Sequence, residues 1–158
     1  MFGFFRSPSF SDPTLGEFKR SKGMWHGSIE LQHFRVPLAL SGSKAEPDAA
    51  AIDAAKSLVQ QLPGWQPTIE AAFFEHYLPY VEAIVSGDLP EPEEPLPKIE
   101  KPSSTWSHAK LQYVSVSPLS GKLTVELGYD VAWDEEHTLG ARFQAGQFLE
   151  LNGSVLAP

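Results

Sequence analysis

The chain contains no cysteine, which excludes disulfides, thiolate zinc sites, iron–sulfur clusters and cysteine nucleophiles together. It is also short of positive charge: 12 Lys+Arg stand against 20 Asp+Glu, a formal net charge of −8. Such a balance works against general attraction to nucleic acid or anionic lipid. No apolar run approaches the roughly 20 residues that span a bilayer. The amino-terminal Met1-Phe2-Gly3-Phe4-Phe5 is followed by Arg6 rather than preceded by charge, the reverse of a secretory signal. There is no G-x-S-x-G elbow, no P-loop, no G-x-G-x-x-G after a strand, no H-E-x-x-H and no EF-hand loop. The expectation from these absences is a cytoplasmic protein with no membrane segment, no nucleic-acid partner and no cofactor.

What is present reads as a globular domain. A length of 158 residues with 42% hydrophobic and 20% charged residues fits one domain with its own apolar core. Asp12-Pro13 and Gly16 punctuate the start of a β-rich section. Trp25, Gly27, Ile29 and Leu31 then alternate with polar neighbours, and Phe34, Val36, Leu38 and Leu40 repeat the pattern after Gln32-His33. Period-2 alternation marks half-buried strands, and two runs this close predict an antiparallel hairpin. Pro37 cannot donate to a ladder, which predicts an edge strand or a bulge.

Asp48 is positioned to cap a helix by accepting from free backbone N–H groups. Ile52, Ala55, Leu58, Val59 and Leu62 share one face of that helix, which Pro63-Gly64 is expected to end. A second helix is predicted from about Pro67 to Ser86-Gly87, bent or interrupted at Pro79. Ile69, Phe73, Tyr77, Tyr80 and Ile84 form one stripe on it. Phe74, Leu78, Val81 and Val85 form another, which predicts contact on more than one side. Residues 88–104, rich in Pro and Glu, read as an extended, solvated connector.

The strongest periodic signal lies near the end, where Leu123, Val125, Leu127, Tyr129, Val131 and Trp133 share a face. A strand over His108 to Val116 precedes it across a loop at Ser117–Gly121. Strands at Leu139–Phe143 and Phe148–Leu151 follow, joined around Ala145-Gly146. The predicted class is α+β: a single domain over 1–158, its antiparallel sheet built from an N-terminal hairpin and a C-terminal meander. Two helices pack on one face of that sheet.

The densest cluster of chemistry-bearing residues is Trp133-Asp134-Glu135-Glu136-His137. Carboxylates beside an imidazole are able to bind a divalent metal or work as an acid–base pair. A catalytic metal normally takes about three converging protein ligands, and neighbours on a strand point to opposite sides. A polar strand connection with Trp133 turned inward accounts for the same residues, so no catalytic and no metal-ligating residue is assigned. The candidate binding residues are Trp133, Asp134, Glu136 and His137, together with Trp25 and His26 if the two β sections are neighbours. His76, in the aromatic helix, reads as a hydrogen-bonded, half-buried side chain. Aromatics without a basic groove beside them read as core rather than as base-stacking platforms.

Two stretches carry a resemblance. Asp12-Pro13-x-Leu15-Gly16, followed by Trp25-x-Gly27, and Trp133-Asp134-Glu135-Glu136-His137-x-Leu139-Gly140 are similar to a small bacterial family of uncharacterised α+β proteins. That family, a domain of unknown function, has D-x-x-L-G and W-D-x-E-H-x-L-G segments and carries Gly where Thr138 stands here. The resemblance implies a bacterial, cytoplasmic protein and transfers no catalytic residue. By analogy with related domains it admits an immunity-like role.

The functional expectation is a non-enzymatic protein-binding module with a basic protein partner, because opposite charge speeds encounter and fixes orientation. The alternative is a metal-dependent hydrolase using the acidic and histidine cluster at 134–137. Neither the oligomeric state nor the presence of an enzymatic activity is readable from the sequence.

Overall fold

The computed structural model describes residues 8–158; the reading of Met1–Arg6 lies outside the described residues. Eight strands follow one another in space in the order of the sequence. They are β1 (Ser9–Asp12), β2 (Gly16–Ser21), β3 (Met24–Leu31), β4 (Phe34–Leu40), β5 (Ala109–Leu119), β6 (Lys122–Val131), β7 (Asp134–Gln144) and β8 (Gln147–Val155). Between β4 and β5 run one long helix, α1 (Ala49–Ser86), and a short 3₁₀ helix (Pro102–His108). This intervening passage lets β4 and β5 pair in parallel, over Leu38–Leu40 and Val114–Val116, while every other neighbouring pair is antiparallel.

The α+β class matches the expectation, and the sheet is larger than the one expected. The N-terminal part is a four-stranded meander, because β1 and β2 also form. Their turn is built by the D-x-x-L-G stretch: the Asp12 carboxylate accepts the N–H groups of Thr14 and Leu15 at 2.8 and 2.9 Å. Gly16 follows with φ +88°, a conformation costly for a side chain bearing a Cβ. Three further turns, at Lys22-Gly23, Ser120-Gly121 and Ala145-Gly146, and also Gln32-His33, have both central residues at positive φ. That is the hand that suits the twist of two-residue hairpins.

Most of the alternation translates directly. Trp25, Ile29, Leu31, Val36, Leu38 and Leu40 are buried, as are Val125, Leu127, Tyr129 and Val131. Phe34 is the exception: it sits beside the hairpin turn and is exposed. Pro37 is not on an edge strand. It faces Ser28 of β3, and the pairing of β4 with β5 starts only at Leu38, so its missing N–H costs no ladder bond on that side.

The largest departure is α1, which is a single helix of 38 residues running through Pro63, Gly64, Pro67 and Pro79. Its buried stripe, Ala51, Ile52, Ala55, Leu58, Leu62, Trp65, Ile69, Phe73 and Tyr77, crosses two of these prolines without a change of phase. Each fully buried large side chain contributes about 1.5–3 kcal/mol, against about 3 kcal/mol for an interior proline. All three prolines lie on the exposed side, where the carbonyls they leave unbonded face solvent. Val59, expected on the buried face with Ile52, Ala55, Leu58 and Leu62, is exposed instead, and so are Leu78 and Val85, which leaves the second expected stripe covered only through Phe74 and Val81. Asp48 stands at the N-cap, but its carboxylate accepts the Ser41 hydroxyl at 2.8 Å rather than a helix N–H. Gly87, with φ +85°, closes the other end.

The sheet curls around α1 so that both outer strands approach it. From the β1 side Asp12 pairs with Lys56 at 3.0 Å. On the other side, a Cβ at Gly153 of β8 would stand 3.7 Å from His76 Nε2. Between them, Trp65 stacks on Phe143 with ring centroids 3.8 Å apart, and Phe73 meets Tyr129 and Trp133 edge-on. The core is this helix stripe against the concave face of the sheet.

Candidate functional site

The tight turn between β6 and β7 consists of Ala132 and Trp133, so the acidic cluster begins β7 instead of forming a loop. Trp133 folds inward and is buried among Phe73 and Tyr77. An indole N–H buried in such a place needs an acceptor. It finds His76 Nδ1, on α1, at 3.0 Å. That bond fixes the tautomer: Nδ1 accepts, so the proton is on Nε2. Nε2 points toward Asp134, 4.0 Å away.

Asp134 is itself buried and is held by donors from two elements. Tyr80, one helical turn beyond His76, donates its hydroxyl to Oδ2 at 2.8 Å. His137 Nδ1 stands 3.0 Å from Oδ1, the two side chains meeting at a spacing of three along the start of β7. The register of β6 with β7 slips between Asp130 and Val131, and this irregularity lets side chains that regular alternation would separate come together. Burial, with the donated bond and the adjacent Asp134 and Glu136 charges, pushes the Tyr80 phenol up to about 12. Burial lowers His76 from its ordinary value; the Asp134 charge opposes that effect and His137 adds to it.

In front of this cluster lies an open groove of about 890 Å³. One wall is the start of β7, with Asp134, Glu135 and Glu136. The other is the Pro-rich segment, with Glu91, Glu93 and Glu94. Six carboxylates and one histidine line it, and no lysine or arginine does. Residues 87–101 carry no helix or strand, as expected of a connector, yet they are fastened. Leu89 N–H donates to Ala83 O at 3.1 Å. The Tyr77 hydroxyl donates to Pro97 O at 2.6 Å and accepts the Ile99 N–H at 3.2 Å. Ile99 is buried behind them.

Of the sequence-derived candidates, Trp133, Asp134, Glu136 and His137 therefore stand at one place. Trp25 and His26 do not join them. They lie on β3, four strand positions from β7, roughly 19 Å at the usual strand spacing. Trp25 is a core residue whose indole N–H bonds Ser43 O at 2.9 Å, and His26 contacts Ser21 O at 2.9 Å. Among the described residues no group of three or more His, Asp or Glu side chains is arranged to hold a metal ion.

Sequence reasoning placed His76 correctly as a bonded, half-buried histidine but did not connect it to the cluster. It missed Tyr80 and the three glutamates of the connector as site residues. The spacing of four between His76 and Tyr80 was the available signal, since it sets both on one helix face. Nothing local pointed to the glutamates facing β7.

Among the described residues, no helix is long and apolar enough to cross a membrane. A family model described as "Domain of unknown function (DUF6985)" matches residues 14–155. No curated protein and no solved structure matches the chain.

Proposed function

The chain belongs to the DUF6985 family, a domain of unknown function, and we infer that it is a non-enzymatic bacterial, cytoplasmic binding protein that captures a basic segment of a partner protein. The observation that carries this is the groove lined by six carboxylates with no lysine or arginine among its walls. Like charges gathered across an open cleft raise the local concentration of cations and orient an incoming one. The apolar patches of Ile84, Leu89 and Leu96 within the same lining would take the aliphatic stems of lysine or arginine. An immunity-like role, with a cationic toxin as the partner, is one biological form of this chemistry.

Calorimetric titration tests it with a short lysine- and arginine-rich peptide and a glutamate-substituted counterpart. The basic peptide should bind saturably and more weakly as salt rises, and the acidic one should not bind. Replacing Glu91, Glu93 and Glu94 together with glutamine removes three exposed charges worth about 0.5 kcal/mol each, which corresponds to about tenfold in affinity. Equal affinity of wild type and triple variant would refute the groove as the binding surface. Titration with zinc and manganese reads the alternative of a metal-dependent hydrolase. Saturable binding that moves the His137 ring signals would favour that reading instead.

A further inference from the structure

A second opening lies toward the other end of α1, where the helix separates from the turns that end the central strands. It has a volume of about 470 Å³, within the roughly 300–1,000 Å³ typical of small-molecule sites. Its floor is apolar: Trp65 from the helix, Leu123 and Val125 from β6, and Phe143 from β7. On the helix side the opening is lined by the short side chains of Ala54 and Ser57. Ser57 and Gln61 stand on the helix rim, and Gln144 stands opposite. The Gln144 amide donates to Thr124 Oγ1 at 2.9 Å.

Lys122 is the one charged residue in the lining, and among the described residues it forms no ion pair. A lone cation at the mouth of an apolar slot, in a protein of net charge −8, selects a ligand with a single negative charge on an apolar body. We propose that this opening binds a small amphiphilic carboxylate, its apolar part lying over Trp65, Leu123 and Phe143 and its carboxylate on Lys122. Ser57 and Gln61 supply further donors along the rim. The site is independent of the acidic groove, with which it shares no lining residue.

The test is a titration of isotope-labelled protein with 3-phenylpropionate and octanoate, and with the neutral alcohols of the same skeletons, followed by amide and indole chemical shifts. At least one acid should saturate, moving the Trp65 indole and the Leu123, Ala145 and Gly146 amides, and should bind at least fivefold tighter than its alcohol. In Lys122→Gln the acid and the alcohol should bind alike. Ala54→Phe, which fills the opening from an already half-exposed position, should abolish both. The proposal is overturned if neither acid saturates, if the moving signals lie elsewhere, or if Lys122→Gln keeps the preference for the acid. A dispersed spectrum of each variant in the absence of ligand shows that the fold is intact.

Discussion

Gly128 of β6 lies directly opposite Tyr113 of β5 and Gly140 of β7, and the Tyr113 ring crosses over it. A methyl group at position 128 would stand 2.6 Å from Tyr113 Cδ1 and nearer still to Cε1, where carbon atoms normally approach to about 3.5–4.0 Å. Gly128 is not at positive φ, so alanine meets no backbone strain there and the conflict is with the ring alone. That ring cannot step aside cheaply. Tyr113 is 3% exposed and donates its hydroxyl to Glu126 Oε1 at 2.6 Å, while Arg142 Nε donates to Glu126 Oε2 at 2.7 Å. Overpacking of this kind costs about 1–3 kcal/mol, and losing a hydrogen bond to a charged acceptor about 1.5–3 kcal/mol. Against these stands a gain of about 0.5–1 kcal/mol from replacing a strand glycine. Gly128→Ala should therefore destabilise by about 1.5–5.5 kcal/mol. Tyr113→Ala alone should cost about 3–5 kcal/mol, as for other buried aromatics. With the ring gone, the three atoms nearest the methyl go with it, so the double variant should be no less stable than Tyr113→Ala. Urea unfolding followed by tryptophan fluorescence gives the four free energies. If the two losses add to within about 0.5 kcal/mol, the limit for independent sites, the steric account of Gly128 is wrong.

Two further outcomes concern titrating groups in the fold. The folded-state pKa of His76 is lowered from 6.5, chiefly by burial, so its contribution to stability is present above pH 6.5 and is lost as pH falls below that value. Unfolding free energy measured between pH 7.5 and 5.5 should drop in the wild type and drop less in His76→Gln; parallel profiles would show that His76 is not the sensor. For Asp12, burial raises the pKa, but the Leu15 and Thr14 N–H groups and Lys56 outweigh it, so the net direction is down from 3.8. Its stabilisation is full above pH 3.8 and fades as pH falls through the lower folded value. Asp12→Ala should cost about 1–3 kcal/mol by leaving turn N–H groups without their acceptor, and Asp12→Asn, which keeps an acceptor oxygen, should cost less.

How far residues could be read in advance depended on whether their signal was local. The Trp25–Leu40 hairpin and the Leu123–Val131 run were legible because a strand with one covered face writes a period of two into the chain. Phe34 broke that pattern because the period cannot say how far the covering helix extends. The prolines of α1 misled for a related reason. Proline weakens a helix locally, whereas the stripe from Ala51 to Tyr77 is stabilised by strands on both sides of it in sequence, through contacts as distant along the chain as Trp65 on Phe143 and Phe73 on Tyr129. At the site, Asp134 and His137 were visible as neighbours. His76 and Tyr80 were visible only as helix residues, because contact between α1 and β7 is a property of the crossover.

The amino-acid sequence by itself determined the class of the protein: an acidic, cysteine-free α+β chain with its apolar residues phased for sheet and helix. It also determined the turn between β1 and β2, since Asp12 and Gly16 act on backbone groups within a few residues of themselves. Tertiary structure alone decided that the helix would run unbroken, that Trp133 would pin His76, and that the glutamates of the Pro-rich segment would face Asp134, Glu135 and Glu136 across a groove. Those are long-range arrangements, set by which surfaces bury each other, and burial is a sum over the whole fold that no local pattern contains.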